Sequence, residues 1–339
     1  MTIVGGLDVH RRQITFDYLD TDTGEVRRGR VSPATREGLR EWLARFEDRK
    51  AAFAVEGCTG WRFVVEELER AGIEAHMAEP ADTAALRGKK RRAKTDRTDA
   101  RHLRELLCEH RLPEAWVPPA HVAEARTKAR LYRSLMHERD VWQLRTHAVL
   151  FHQGVPALPS LLTVAGRAAL DKADVSASGR QLIGVALEVI DHLEGLAGPL
   201  RAELASFGRR QPGCRALTAH YGIGPLLAVV IWSELGDTRR FSSSRQAVRH
   251  TGLDITVHAS DAKRARGRLS RQGPPALRWA LYEAAICAAR PGSPDHDYYL
   301  ATKARIGGGR AALSVARKLA ARCHHSLREL GDQAWADVT

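Results

Sequence analysis

The chain has few cysteines and no long apolar run. Its five cysteines are scattered and never spaced CxxC, which argues against a disulfide framework and a structural zinc site and favours a reducing compartment. No stretch of about 18 apolar residues occurs, so no membrane-spanning helix is expected. The first residues also lack a basic region, an apolar region and a cleavage site. No signal peptide is therefore expected, and the expected location is a reducing cytoplasm.

Positive charge is in excess and unevenly distributed. The 339 residues have room for two or three domains, with a formal charge of +13 and a pI near 10. Residues 1–110 hold 21 Lys and Arg against 20 Asp and Glu, whereas residues 111–339 hold 32 against 20. The usual partner of a protein with so large a positive charge is a polyanion. Most of the surplus positive charge lies beyond the first third of the chain.

The first third has the pattern of a ribonuclease-H-like α/β domain. Three short strands are predicted at Thr2–Val9, Gln13–Leu19 and Glu25–Val31, followed by alternating helices and strands in the order βββαβαβα. The later elements are helices over Pro33–Asp48 and Gly60–Arg70, strands over Ala51–Val55 and Ile73–Met77, and a helix that starts near Thr95.

Four acids of this region are expected to meet in one cleft. Asp8 and Glu56 end the first and fourth strands, and functional groups gather at the carboxyl ends of strands in open α/β sheets. Asp96 and Asp99 are three residues apart, so a helix presents both on one face. The plainer alternative is that these two acids only favour the helix N-terminus. Four converging carboxylates repel one another unless cations neutralise them, and oxygen ligands suit Mg²⁺ or Mn²⁺.

Two long helices are predicted next. One covers Ala120–His152 and the other about Gly179–Phe207, where Leu182, Val189 and Leu196 alternate with Ala186, Leu193, Leu200 and Phe207 in an a/d pattern. The pair indicates either an antiparallel coiled-coil arm or a plain helical hairpin.

The last region combines a glycine turn with a basic segment. Gly222 and Gly224 open an apolar helix as in a helix-hairpin-helix, whose backbone N–H groups can receive a phosphate, although an ordinary turn fits as well. Residues 258–273 are basic, without apolar periodicity, and contain Ser260 and Ser270. Such a segment either grips a nucleic-acid backbone or carries a serine nucleophile acidified by neighbouring cations. Asp295-His296-Asp297 is interpreted as a cap or turn and not as a metal site.

These motifs together resemble one family, the insertion-sequence one-ten transposases, which are related to the Piv DNA invertase. The resemblance covers nearly the whole chain, and its most specific part is the Lys94-Thr95-Asp96-Arg97-Thr98-Asp99-Ala100 block. The other parts are Gly6-Leu7-Asp8-Val9-His10, Val55-Glu56-Gly57, the distal Gly-x-Gly-Pro, an Arg-Phe-x-Ser block and Ser260.

The resemblance implies a RuvC-like DEDD domain, a helical coiled-coil arm and a mainly helical C-terminal transposase domain with a catalytic serine. On this basis Asp8, Glu56, Asp96 and Asp99 are expected to hold Mg²⁺ (or Mn²⁺), and Ser260 to form a transient 5′-phosphoserine link. Ser260 precedes Asp261 where the family commonly has glycine, so Ser270 is the reserve nucleophile. The nucleic-acid contacts are expected at Lys94, Arg97, Arg101, Gly222, Gly224, Lys263, Arg264, Arg266, Arg268 and Arg271.

The resulting hypothesis divides the chain into residues 1–112, 113–210 and 211–339. It describes a recombinase of a mobile insertion sequence that acts on donor and target double-stranded DNA. The resemblance further implies a structured noncoding guide RNA, the bridge RNA, and a homodimer or homotetramer with a composite active site. Two alternatives stay open: a metal-dependent junction nuclease that uses water, and a non-catalytic nucleic-acid-binding protein whose acids are structural.

Overall fold

The computed structural model describes residues 2–87, 95–158, 160–256, 259–260, 263–264 and 267–338; for 259–260 and 263–264 it describes the backbone alone. The chain divides into two compact units, Met1–Val117 and Pro118–Thr339. The predicted three-domain division at 112 and 210 stays a prediction. Lys94 and Arg266, two of the predicted nucleic-acid contacts, lie outside the described residues.

The first unit is a mixed α/β fold in the predicted order, with one addition. Its elements are β1 Ile3–Val9, β2 Ile14–Asp20, β3 Val26–Val31, α1 Arg36–Leu43, β4 Ala51–Glu56, α2 Trp61–Arg70, β5 Glu74–Ala78, α3 Pro80–Leu86 and α4 Asp96–Cys108. Helix α3 was not predicted. It begins with Pro80, which suits the first helical position because no backbone N–H is needed there.

The five strands form one sheet in the order β3-β2-β1-β4-β5. The β1–β2 and β2–β3 pairs are antiparallel, whereas β4 lies parallel to β1 and to β5. Leu7 pairs with Val55 in the β1–β4 register, so Asp8 and Glu56 follow the last pair on two neighbouring strands. Their carboxyl ends therefore lie at the same edge of the sheet.

Different cores cover the two faces of this sheet. Ile3 and Leu7 pack into an aromatic core with α1 and α2, which includes Trp42 and Phe53. Val4, Ala52 and Ala54 face the other way, against Leu103 and Leu107 of α4. Because side chains alternate along a strand, Asp8 and Glu56 project on the α4 face.

The second unit is mainly helical. Its helices are α5 Ala120–His152, α6 Val164–Lys172, α7 Ala177–Arg210, α8 Pro212–Leu217, α9 Pro225–Leu235, α10 Ser244–His250, α11 Pro275–Ile286, α12 His296–Ile306 and α13 Gly308–Leu330. Its strands are the two-residue segments β6 Ile255–Thr256, β7 Ala259–Ser260, β8 Lys263–Arg264 and β9 Arg268–Leu269. Among all the helices described, none combines the length and the apolar character needed to cross a bilayer.

Helices α5 and α7 run antiparallel. Lys128 pairs with Glu203 and, further along α5, Arg139 Nη1 lies 2.7 Å from Glu194 Oε1 on the earlier part of α7. The described part of the 154–178 connector contains α6, which was not predicted. Whether the two helices supercoil stays a prediction.

The predicted apolar seam of α7 was wrong by one residue at two of its seven positions. Leu182 and Leu196 are 39% and 51% exposed, whereas Ile183, Ile190, Ala197 and Leu204 are buried at the same seven-residue spacing. In the second predicted set, Ala186 is buried, and Leu193, Leu200 and Phe207 are partly buried. The sequence offers apolar residues on both sides of this seam, so periodicity alone did not decide which set packs against α5.

Polar anchors hold α9 in the centre of the second unit. Arg130 of α5 donates two hydrogen bonds to the buried Glu234 carboxylate, and Arg126 donates to the Ser233 carbonyl oxygen. Trp232 is fully buried, and its Nε1 donates to the Ala334 carbonyl oxygen at 2.8 Å. The buried polar groups of α9 are thus satisfied by neighbouring elements.

Candidate metal centre and serine region

The helix that carries Asp96 and Asp99 begins at a well-formed cap. The Thr95 hydroxyl accepts a hydrogen bond from the Thr98 backbone N–H, and the Thr98 side chain accepts one from the Thr95 N–H. This reciprocal arrangement satisfies two backbone donors that the first turn leaves free. It fixes the start of α4 at Asp96, close to the predicted position, with both acids in the first turn.

Gly6 allows α4 to approach the sheet closely. A Cβ atom at this position would lie 2.2 Å from the Ala100 carbonyl oxygen and 2.7 Å from the Arg104 backbone nitrogen. Only a residue without a side chain fits at such a separation between strand and helix. Gly6 therefore brings the first turn of α4 next to Asp8, two residues further along β1.

All four predicted acids line one cavity of about 930 Å³. Asp8 and Asp99 are buried, whereas Glu56 is partly exposed and the Asp96 side chain is 40% exposed. His10 and Cys58 line the same cavity. Residues 8, 56, 96 and 99, far apart in the sequence, are thus brought together as predicted, although their catalytic role stays a prediction.

Three of the four acids already have a partner within the first unit. His10 Nε2 lies 3.1 Å from Asp8 Oδ2 and 3.4 Å from Asp96 Oδ1, so the imidazole bridges two carboxylates. Gln13 Nε2 donates to Asp96 Oδ2 at 3.1 Å. Arg87 Nη1 donates to Asp99 Oδ1 at 2.6 Å. The Glu56 carboxylate makes no hydrogen bond or ion pair with any residue that the structure describes.

The cavity retains negative charge that its neighbours do not fully neutralise. Burial raises the pKa of Asp8 above its ordinary value, the adjacent His10 lowers it, and the charges of Asp99 and Asp96 raise it further. A carboxyl whose pKa is raised by burial and by like charges gains most from a cation that binds its ionised form.

The donor atoms fit a divalent cation. One ligand atom each from Asp8, His10 and Asp96 lies within 4.8 Å of the other two, close enough for all three to bind a single ion. Two carboxylates and an imidazole can bind several divalent metals, and carboxylate oxygens are the ligands that Mg²⁺ and Mn²⁺ prefer. Asp99 is not in this closest set, and its carboxylate is engaged by Arg87.

The sequence reasoning missed the side chains that contact the acids. His10 stands in the Gly6–His10 motif, two residues after Asp8, and this spacing was a usable signal. Gln13 starts the second strand segment, and its contact with Asp96 depends on how the β1–β2 turn lies against α4. Arg87 is one of many basic residues in that part of the chain, so no local pattern distinguishes it.

The predicted nucleophile Ser260 lies on the two-residue strand β7. Its backbone pairs with Lys263 of β8 in an antiparallel register. The side chains of Ser260, Lys263 and Arg264 are outside the part of the chain whose side chains the structure describes. Their roles therefore stay predictions.

Ser270, the reserve nucleophile, has a well-defined partner. Its hydroxyl donates to the Asp254 carboxylate, and its backbone N–H donates to the Asp254 carbonyl oxygen at 3.0 Å. The two contacts join the chain segments that lead into β6 and out of β9. Arg268 lies on β9, and Arg271, which follows Ser270, has a positive φ of 55°.

Packing explains only one of the two glycines in the turn before α9, namely Gly222. Gly222 has a φ of +88°, and a Cβ there would lie 2.3 Å from the Ala284 carbonyl oxygen of α11. Gly224 caps α9, and a Cβ there would meet no described atom within 4 Å. Phosphate binding at this turn stays a prediction.

Asp295 is a cap residue, in agreement with its interpretation from the sequence. It lies at the N-cap position of α12. Its buried carboxylate accepts hydrogen bonds from Lys318 and Arg322 of α13, which hold the pKa of Asp295 below its ordinary value. The carboxylate is therefore an anchor between two helices.

Comparison with known proteins gives three matches. A DEDD transposase model of IS110 matches residues 5–152, and a model described as "Transposase IS116/IS110/IS902 family" matches residues 214–300. The protein named "Putative transposase y4rJ" of Sinorhizobium fredii (strain NBRC 101917 / NGR234) is 31% identical over 252 aligned residues, and the match covers 64% of this chain. The chain spans 60% of the length of that curated relative.

Proposed function

The chain belongs to the IS116/IS110/IS902 family of transposases, and on that premise we propose that it cuts and rejoins DNA to move an insertion sequence. The observation that carries the proposal is the convergence of Asp8, Glu56, Asp96 and Asp99 on one cavity. The β3-β2-β1-β4-β5 strand order supports a ribonuclease-H-like, RuvC-like assignment for the first unit.

In the proposed mechanism the four acids hold Mg²⁺ or Mn²⁺ at the carboxyl edge of the sheet. An ion held by these acids would supply positive charge to the phosphate and to the charge that develops during phosphodiester cleavage. We assign Asp8 and Asp96 as the first ligands because one ligand atom of each, together with one of His10, lies within 4.8 Å of the other two. Glu56 is available as a ligand because it makes no ion pair within the described residues.

We assign the covalent step to Ser260. Its Oγ attacks the phosphorus, the bond from phosphorus to the 3′ oxygen breaks, and the 3′ oxygen takes up a proton and leaves as a hydroxyl. The serine loses its proton in the same step, and the DNA 5′ end stays attached as a phosphoserine. Attack by a 3′ hydroxyl of another strand reverses these changes and rejoins the DNA.

The basic residues that follow the serine support this assignment. Lys263, Arg264, Arg266, Arg268 and Arg271 stand within eleven residues of Ser260. Cations at these positions attract the DNA backbone and favour an ionised hydroxyl. The Ser270 hydroxyl already donates to Asp254, so we give Ser270 a structural role first.

The proposed partners are donor and target DNA, a structured noncoding guide RNA and further copies of the same chain. Their support is the surplus of positive charge beyond residue 110 and the likeness of the motifs to the family. In a homodimer or homotetramer, the acids of one copy would act with the serine of another. The proposed location is the bacterial cytoplasm.

The decisive experiment is a search for a covalent protein–DNA product. Purified protein is incubated with supercoiled DNA carrying the element ends, with the RNA transcribed beside the gene and with Mg²⁺, and then denatured. We expect an adduct that resists denaturation, that Ser260→Ala abolishes, and that Asp8→Asn and Asp99→Asn also prevent. Adducts at wild-type level from Ser260→Ala would place the nucleophile elsewhere.

The same assay separates the two alternatives. A junction nuclease that uses water would cut DNA in the presence of metal without any adduct. A non-catalytic binding protein would not cut DNA under any metal condition.

A further inference from the structure

A second cavity of about 630 Å³ lies in the first unit, between β3 and the first turns of α4. Four arginine side chains line it, namely Arg28, Arg30, Arg97 and Arg101. We call it the arginine groove. Asp17 is the one carboxylate among the described residues of its lining. The described lining of the groove is therefore mainly cationic.

Two of the four guanidinium groups are available to a ligand. The side chains of Arg30 and Arg97 are exposed, and neither guanidinium group makes a hydrogen bond or ion pair with any residue in the described ranges. Arg28 pairs with Asp17 at 2.7 Å and Arg101 with Glu105 at 2.6 Å, but both arginine side chains are 54% exposed. The groove thus keeps a net positive charge after its internal pairs are counted.

A buried ion pair fixes the wall of the groove. Asp17 is 1% exposed and accepts hydrogen bonds from Arg28 and from the buried Arg104 of α4, the latter at 2.5 Å. This shared carboxylate ties α4 to β2 and positions Arg28. Groups held in place before a ligand arrives lose less conformational entropy on binding.

The arginine groove adjoins the acid cavity on the sheet. Arg30 of β3 pairs with Thr15 of β2, and Thr15 pairs with Asp8 of β1. Directly paired residues project on the same face, and neighbouring strands are 4.7–4.9 Å apart, so the backbones at Arg30 and Asp8 are separated by roughly 10 Å. The two positions therefore belong to one row of side chains that crosses three strands.

The two cavities also adjoin on the helix. Arg97 and Thr98 line the groove, while their neighbours Asp96 and Asp99 line the acid cavity. At 3.6 residues per turn, Arg97 and Arg101 project from a different side of α4 than the two acids. The first turn of α4 thus separates a strongly positive surface from a strongly negative one.

We infer that the arginine groove binds the backbone of the DNA strand whose phosphodiester lies at the acid cavity. The inference rests on the proposed function, because it takes that cavity as the place of cleavage. A strand advances about 3.4 Å per nucleotide, so a phosphate roughly three nucleotides from the reacting one lies level with Arg30. A guanidinium group binds phosphate oxygens in a bidentate way. The groove holds the flanking phosphates while the acids, which repel DNA, receive only the reacting one.

The test measures binding without catalysis. The full-length Arg30→Gln/Arg97→Gln variant is titrated in EDTA with three labelled probes of one sequence: duplex DNA, single-stranded DNA and duplex RNA. The salt concentration is varied between about 50 and 200 mM, because each lost phosphate contact reduces the slope of log affinity against log salt by roughly one. We expect the affinity for DNA to fall at least about tenfold and the duplex slope to lessen by about two.

A matched variant controls for the loss of charge. Arg27→Gln/Arg111→Gln removes two arginines of the same unit that lie outside the lining of the groove, where they pair with Glu25 and Glu109. This control is expected to bind DNA within about twofold of wild type, with a slope reduced by less than one.

The possible results are distinguishable. DNA affinity and slope equal to those of the control would overturn the inference, and so would a loss confined to the RNA probe, which would assign the groove to RNA. Because binding is measured without metal, failure of wild-type protein to cleave DNA would refute the proposed function and leave the groove intact. Cleavage by wild type together with unchanged binding by Arg30→Gln/Arg97→Gln would refute the groove alone.

Discussion

The Arg87 guanidinium donates a 2.6 Å hydrogen bond to the carboxylate of Asp99, an acid of the candidate metal centre. Both side chains are largely buried, at 28% and 9% exposure. Arg87 thus occupies Oδ1, one of the two carboxylate oxygens that Asp99 could offer to a cation. Binding of a metal by all four acids requires this ion pair to open or to share the carboxylate.

Replacing Arg87 should strengthen metal binding and weaken the metal-free fold. In Arg87→Gln the Asp99 carboxylate is free for a cation, so we expect Mn²⁺ affinity to rise several-fold in a calorimetric titration. Without metal, an unpaired buried carboxylate costs about 1–3 kcal/mol, so the unfolding temperature should fall and recover when Mn²⁺ is added. Arg111→Gln, which removes an exposed pair with Glu109, should change neither quantity. Weaker Mn²⁺ binding by Arg87→Gln would contradict the competition between arginine and metal.

His10 and Gln13 both contact Asp96, but only His10 is placed to bind the ion. His10→Ala should weaken Mn²⁺ binding about tenfold, because a ligand atom within 4.8 Å of two carboxylate oxygens is lost. Gln13→Ala removes a hydrogen bond to the outer oxygen of Asp96 and is expected to have a smaller effect. Titration of both variants with Mn²⁺ measures the two affinities. An equal loss of Mn²⁺ affinity in both variants would show that His10 positions Asp96 and does not bind the ion.

Gly6 should not tolerate even alanine. A methyl group there would overlap the Ala100 carbonyl oxygen, so α4 must move away from β1. We expect Gly6→Ala to destabilise the fold by more than about 2 kcal/mol and to reduce Mn²⁺ affinity with it. Gly195→Ala is the control, because its Cβ would meet no described atom within 4 Å inside helix α7. There alanine should stabilise by roughly 0.5–1 kcal/mol. Thermal unfolding of the two variants measures the difference, and a Gly6→Ala protein as stable as wild type would refute the close approach.

Glu67 should make the stability of the first unit depend on acid pH. Its fully buried side chain accepts hydrogen bonds from Arg40, Arg36 and Arg70, and the pair with Arg40 contributes most to lowering its pKa from 4.5 to about 2. A lowered folded-state pKa stabilises the fold above pH 4.5, and this contribution is lost as pH falls from 4.5 towards 2.

Glu67→Gln tests this contribution. At pH 7 the variant should lose on the order of 2 kcal/mol, less than the full shift implies because the three arginines are about half exposed. The difference from wild type should shrink as the pH is lowered through 4.5. Denaturant unfolding at several pH values measures it, and a difference independent of pH would remove the ionised carboxylate as its cause.

Much of the first unit could be predicted from its sequence, because the determining signals are local. Strand alternation, the apolar run Ala51–Val55 and the Thr95 cap each specify an element within a few residues. The positions of Asp8 and Glu56 at strand ends followed from these elements. Helix α3 was missed because its seven residues are too few to show a clear periodicity.

The contacts between these elements depend on the tertiary structure. Asp96 and Asp99 reach Asp8 only because Gly6 lets α4 approach the sheet, and no rule of spacing connects residue 6 with residue 100. In the same way, packing brings Arg87 to Asp99. Strand register places Arg30 in one row with Asp8. In α7, apolar residues at adjacent positions left two possible seams, and packing against α5 selected the one with Ile183 and Ile190. The sequence by itself determined which residues carry charge and where helices and strands begin. The tertiary structure decided which of those charges meet, because ion pairs and cavities depend on distances between atoms that are remote along the chain.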